Sequence, residues 1–217
     1  MVENIIKKGI VFTVLVFFLG GCAVVFQKGR RSDIEKIQSL QSELSELKST
    51  KDLLEEKLSQ EIKDNKVSLK MEEKGLVITF VAEVLFDSGK AKLRNDSLSI
   101  LDKVVSILKE DVPDNDIGIE GHTDNQPIRY SKWKSNWELS AHRALSVLHY
   151  LESKGVNPKK LSAIGYGEYR PVAQNDTPAH RQLNRRVEIV IIPRYVKKIS
   201  PEPPAVPDER VYKEELK

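Results

Sequence analysis

From Asp33 to Lys66 the chain contains neither glycine nor proline, and its apolar residues recur at heptad spacing. Ile37, Leu40, Leu44, Leu47, Leu54 and Leu58 fall on alternating a and d positions, with Lys51 the polar interruption and Glu and Lys on the flanks. Such a stretch has no helix breaker and one apolar stripe, so it folds as a helix, reaching roughly 50 Å at 1.5 Å per residue. Sustained a/d repeats indicate a coiled coil, and through it a homo-oligomer. A single amphipathic helix lying against a neighbouring domain carries the same stripe. Under either reading residues 33–66 are a spacer.

What precedes the spacer sets the compartment. Lys7 and Lys8 lead into an apolar run from Ile10 to Leu19, which ends in Leu19-Gly20-Gly21-Cys22. A basic start, an apolar middle and small residues before the cut make a secretory signal over residues 1–21. The terminal LGGC resembles a bacterial lipobox, which implies cleavage before Cys22 and acylation of that cysteine. Several acyl chains make a stable membrane anchor where one does not. Residues 22–32 are then anchor and linker, and Ala23 after the cysteine implies the outer membrane, with the rest of the chain in the periplasm. The other reading is an uncleaved transmembrane helix from Ile10 to Phe26, about 17 residues and at the lower limit for a span. That run holds no Asp or Glu, so it carries no intramembrane proton carrier. Cys22 is the only cysteine, so no intrachain disulfide forms.

A domain is expected over residues 67–193. Val67–Met71 and Leu76–Phe86 read as a β-hairpin turning at Lys74-Gly75. Asn95 or Asp96 caps a helix to about Lys109 whose Leu98, Leu101, Val104, Val105 and Leu108 share a face. Ile117–Gly121 is a strand, and Trp137 or Glu138 opens a second amphipathic helix that Gly155 ends. Leu161–Tyr166 is a strand, Asp176-Thr177-Pro178 starts a short helix to about Leu183, and Val187–Ile192 is a β-branched last strand. The alternation after the hairpin implies an α/β domain with helices packed on a sheet. Residues 194–217, with Pro201, Pro203, Pro204 and Pro207 among charges, are expected to be a disordered tail.

Two motifs stand out, Gly121–Asn125 (GHTDN) and Asn136–Ala144 (NWELSAHRA). With them come Gly165–Glu168 (GYGE), Arg170-Pro171, Asn175–Thr177 (NDT), Asn184–Val187 (NRRV), and Val84–Asp87 (VLFD) followed by Lys90–Leu93 (KAKL). Together they resemble the OmpA C-terminal domain family over about Val67 to Pro193. The resemblance implies a two-layer domain, helices on a mixed β-sheet, that binds peptidoglycan and catalyses nothing. Within the family, Asn125–Ile128 (NQPI) is similar to flagellar stator subunits of the MotB type, and the lipobox to peptidoglycan-associated lipoproteins. Two functions follow: a tether of the outer membrane to the wall, or a wall-anchored subunit of a membrane motor or secretion complex.

The family's ligand is the wall stem peptide, whose diaminopimelate ends in both an ammonium and a carboxylate. A site for it needs a fixed anion and a fixed cation near one another. The resemblance gives Asp124 the ammonium and Arg143, which can pair bidentately, the carboxylate. Asp87, Asn125 and Leu139 match positions lining the family's site, and Arg185 or Arg186 orients the acidic group or touches ligand. Read without the family, Asp124 is a turn residue, Arg143 a solvated helix residue, Arg185 a structural ion pair and Asn136 a helix cap.

Other chemistries find little support. His122, His142, His149 and His180 lack metal-ligand spacing, so no metal or other cofactor is expected. His122 has no companion nucleophile and is expected to make a structural hydrogen bond. With 35 basic and 32 acidic residues the net charge is only +3. Together with secretion, that argues against nucleic acid as a partner.

Overall fold

The computed structural model describes residues 33–128 and 132–194; the leader with Cys22 and the tail from residue 195 lie outside them. The chain divides into two units, one up to Glu46 and one from Leu47 onward. Helix α1 (33–57) begins in the first, where Ile37, Leu40 and Leu44 are exposed. In the second unit its continuation is committed inward. Leu47, Leu54 and Leu58 are buried in the same core as the sheet. This corrects the expected boundary: the domain takes in chain from Leu47 rather than Val67, and half of the heptad stripe is core rather than a seam between copies. A one-residue break at Leu58 leads to α2 (Ser59–Lys63).

The sheet has five strands in the order β1-β2-β5-β3-β4. β1 (Val67–Glu72) and β2 (Gly75–Val81) form the expected antiparallel hairpin, with Glu72 opposite Gly75. β2 is shorter than its apolar run suggests. At Ala82 the amide donates to Arg185 O and the chain turns into α3 (Ala82–Leu85). An isolated bridge between Phe86 and Leu93 then pinches off the loop between them. α4 (Asn95–Glu110) follows, its N-cap being Arg94 with no side-chain cap bond instead of Asn95 or Asp96.

β3 (Asp116–His122), α5 (Asn136–Ser153) and β4 (Leu161–Gly165) make a parallel crossover unit. Ser135, not Asn136, caps α5 by accepting from the Glu138 amide, and Gly155 (φ 88°) follows its C-cap. α6 (Pro178–Asn184) is capped by the Thr177 side chain with proline in its first turn, as the sequence predicts. β5 (Arg186–Ile192) then inserts between β2 and β3, antiparallel to both. Burial of all but its last residue explains its β-branched content, since a central strand packs on both faces.

One face of the sheet carries Leu76, Ile78, Phe80, Ile117, Ile119, Val187, Ile189 and Ile191, all fully buried. Against it pack Leu101, Val104 and Leu108 of α4 and Ala144, Val147 and Leu151 of α5. This mixed sheet with helices is the expected α/β fold. Its consequence for function is positional: the C-terminal ends of β3 and β4, the start of α5 and the start of β5 meet at one rim.

Candidate functional site

At that rim lies a cleft of about 1320 Å³. Asp124, Leu139, Arg143 and Arg185 all line it, so four of the residues expected at the site are brought together. Asp87 and Asn125 are not among its lining. Asp87 is exposed and paired with Lys90 and Arg94, and the Asn125 amide donates to Asn175 Oδ1 at 3.4 Å. Asp87 instead shapes the neighbouring loop. That loop's carbonyls hold the site, with Lys90 O accepting from Arg143 Nε at 3.0 Å and Gly89 O from Trp133 Nε1 at 2.8 Å.

Asp124 lies two residues past the end of β3 and is 6% exposed. Its Oδ1 accepts from the Gln126 amide at 3.1 Å and its Oδ2 from Arg185 Nη1 at 2.7 Å. Arg185 also holds Glu83, its Nε donating to Oε1 at 2.7 Å. Burial opposes charge on Arg185, but Asp124 and Glu83 more than compensate and raise its pKa. A carboxylate offers roughly four acceptor directions, so Asp124 keeps about two for a further donor.

Arg143, on the face of α5 that also presents Leu139, is 4% exposed and packs over the Phe86 ring, 5.2 Å from guanidinium carbon to centroid. Burial draws its pKa down to about 10, Glu83 and Asp124 supporting the charge and Arg185 opposing it. It is still a cation at neutral pH. Among the described residues only its Nε has a hydrogen-bond partner, and no ion pair joins it to Asp124. The two opposite charges therefore share a cleft without collapsing on each other, each fixed by its own anchor. The sequence reading that made Arg143 a solvated helix residue is wrong.

Asn136 does not cap α5 but ties the rim. Its Nδ2 lies 3.3 Å from Asp124 O, 3.2 Å from Gln126 O and 2.7 Å from Glu168 Oε2, all acceptors. Asn184, fully buried, accepts from the amides of Val172 and Ala173 and donates to Ala173 O, folding the loop before α6. Glu83 and the two loop carbonyls were not foreseen. Main-chain acceptors leave no mark in side-chain identity, and Glu83 fell inside the stretch Leu76–Phe86 that reads as a strand.

A second charged cluster lies on the opposite sheet face. Register places Glu120 directly across from Glu188, and His122 across from Arg186. Lys74 reaches from the hairpin turn to both carboxylates, 2.7 Å to Glu120 and 2.5 Å to Glu188, while Arg186 Nε donates to Glu188 Oε1 at 2.6 Å. Glu120, His122 and Glu188 have ligand atoms within 4.8 Å of one another, a grouping that spacing alone did not reveal. Lys74 already stands between the carboxylates, so the cluster is a neutralised ion network. Burial would raise the Glu120 carboxyl, yet His122 and Lys74 hold it at about 2. His122 is stacked on Tyr166, and among the described residues neither ring nitrogen has a hydrogen-bond partner, Glu120 Oε2 standing 3.9 Å from Nε2, contrary to the bond expected of it. Arg186 is thus separate from the cleft, and Arg185 alone of the pair belongs to it.

Comparison with known proteins agrees with this arrangement. The OmpA family model matches residues 85–185. Motility protein B of Bacillus subtilis (strain 168) is 41% identical over 150 residues, covering 69% of this chain and 57% of that protein. The uncharacterized protein YtxE of the same organism is 39% identical over 166 residues, covering 74% and 68%. The chain thus spans little more than half the length of the motility protein. Among solved structures, the cell wall anchor of the T6SS from Pseudomonas aeruginosa is 30% identical with a TM-score of 0.59, over 64% of this chain and 96% of that one. A MotB-like protein from Desulfovibrio vulgaris is 28% identical with a TM-score of 0.65, over 71% and 98%. The family match and these relatives agree: this chain belongs to the OmpA family.

Proposed function

We propose that this protein binds the peptidoglycan stem peptide in the Asp124–Arg143 cleft and so fastens a membrane to the cell wall without catalysing a reaction. The observation that carries this reading is a pair of buried opposite charges in one cleft that are not paired with each other: Asp124 is held on one side by Arg185, and among the described residues Arg143 makes no ion pair. Asp124 takes the ammonium of diaminopimelate and the Arg143 Nη atoms take its carboxylate. Each charge-assisted bond contributes about 1.5–3 kcal/mol, so two give millimolar to tens-of-micromolar affinity. Asp124 and Glu83 are both engaged by Arg185, an arrangement that holds charge rather than passes protons. The test is co-sedimentation with purified sacculi. Asp124→Asn and Arg143→Lys each lower the bound fraction at least tenfold with little change in melting temperature. Unchanged binding by both variants, or muropeptides released by the wild type, would overturn the reading.

Cys22 carries the membrane end, acylated and seated in the outer membrane, with the domain in the periplasm. A second reading, a wall-anchored subunit of a motor or secretion complex held by an uncleaved leader in the inner membrane, is favoured by the 41% identity with Motility protein B. Mass spectrometry of the mature N-terminus separates them. An acylated Cys22 supports the tether and an intact leader the motor subunit.

A further inference from the structure

One feature outside the cleft is unusual for a soluble surface. Trp137, at the start of α5, and Tyr169, after β4, stack on each other with ring centroids 4.9 Å apart and an interplanar angle of 23°. Trp137 is nonetheless 49% exposed and Tyr169 63% exposed. Each ring has one face on its neighbour, and much of the remainder is open to water. The pair is held rigid from beneath. Gly167 adopts φ 57°, which favours glycine, and a Cβ there would lie a tight 3.3 Å from Trp137 N and in contact with the indole at 3.5 Å from Cδ2, so the start of α5 sits close on this glycine. The Gly167 amide donates to Ser140 Oγ at 2.9 Å, and that hydroxyl donates to Trp137 O at 2.9 Å.

The stack adjoins the cleft. Trp137 and Tyr169 are the chain neighbours of Asn136 and Glu168, which hydrogen-bond each other at 2.7 Å. Two parallel rungs therefore join α5 to the loop after β4. The inner rung is polar and reaches Asp124 O through Asn136. The outer rung is aromatic. Arg170, next in the chain to Tyr169, lies over a different ring, its guanidinium 4.4 Å from the Tyr166 centroid.

We propose that this aromatic pair is a sugar platform, on which the glycan strand bearing the stem peptide rests while the peptide enters the cleft. The proposal depends on the cleft binding that peptide. A pyranose presents one face of C–H groups, and the electron-rich face of an aromatic ring attracts such positively polarised hydrogens. Its hydroxyls need polar partners, and Glu168 and Arg170, the chain neighbours of Tyr169, are the polar side chains that flank the platform in sequence. Two rings are far smaller than the surface a stable protein interface buries, which favours a saccharide over a protein. A preformed stack also loses little conformational freedom on binding.

The test compares two ligands by calorimetry: the free diaminopimelate-containing stem peptide, and the same peptide attached to its N-acetylated disaccharide. The wild type prefers the disaccharide-bearing form about tenfold. Trp137→Ala with Tyr169→Ala binds both forms alike, at the wild-type affinity for free peptide, and the retained peptide affinity shows that the domain is folded. The exposed Tyr169→Ala alone gives an intermediate preference. A wild type without preference, or a double variant that keeps it, overturns the platform and leaves the cleft reading standing. Failure of the wild type to bind free peptide overturns the cleft reading and the platform with it. Should the double variant keep the preference and sediment as a smaller species, the pair is a protein contact and the proposal falls.

Discussion

At the scale of single residues, close approach and buried charge set the tolerances. Gly121 lies where α5 crosses β3, and a Cβ there would meet Ser140 O at 2.1 Å. Backbone cannot swing aside as a side-chain end can, so Gly121→Ala forces strand and helix apart. The expected cost is about 3 kcal/mol, read as a lowered denaturation midpoint at unchanged slope. The charge network on the opposite face makes stability depend on pH. Burial, opposed by Glu120 and reinforced by Arg186, pulls His122 below the 6.5 of a free imidazole. The unfolded chain therefore takes up that proton first, and stability falls as pH drops through about 6.5. Glu120, at about 2 against 4.5 unfolded, contributes stability that is present above 4.5 and lost as pH falls toward 2. Chemical denaturation at stepped pH is expected to show the first loss near neutrality and the second in acid. His122→Phe, which keeps the stack on Tyr166 and cannot titrate, removes the first and lessens the second, because His122 helps to hold the Glu120 carboxyl low. A variant that retains the loss near neutrality would assign it to another group.

At the scale of elements, most of the fold was legible because each helix and strand obeys its own period. The apolar face of α4 at Leu101, Val104 and Leu108, the Thr177–Pro178 start of α6 and the β-branched β5 are where the sequence put them. The site was legible only through motifs. Nothing in the spacing of Asp124 and Arg143 shows that they face one cleft, and Asp87 and Asn125, carried by the same motifs, do not line it. Two local features misled. The apolar run through Phe86 hides the turn at Ala82, because α3 buries Ala82 and Leu85 as thoroughly as a strand would. The heptad stripe of α1 records that one face is covered and not by what. Leu54 and Leu58 are fully buried in the domain core, so that part of the helix is structural. Leu54→Ala is expected to cost about 2–5 kcal/mol, as for other large-to-small core changes. Deleting residues up to Glu46 should leave the melting temperature nearly unchanged, whereas deleting through Leu58 should lower it sharply. Equal stability of the two truncations would return Leu54 and Leu58 to an intermolecular seam.

For the whole molecule the question that the proposed function raises is how a weak site would hold a wall. Two charge-assisted contacts would leave each cleft releasing its peptide readily, yet the proposed tether has to persist under load. Linking sites converts the second binding event into an intramolecular one and can raise retention by factors of about 10²–10⁴ without new contacts. The part of the heptad stripe outside the domain core is suited to provide that link, since Ile37, Leu40 and Leu44 are between 43% and 53% exposed. If these residues pair copies of the chain, Leu40→Asp with Leu44→Asp should yield a monomer in sedimentation velocity. Its affinity for free stem peptide would match the wild type because the cleft is untouched, while its retention on sacculi would fall by at least tenfold. The contrast between those two measurements is the decisive one. A variant that loses both has damaged the domain, and one that becomes monomeric without losing retention shows that single clefts suffice, so that the wall attachment owes its strength to the site alone.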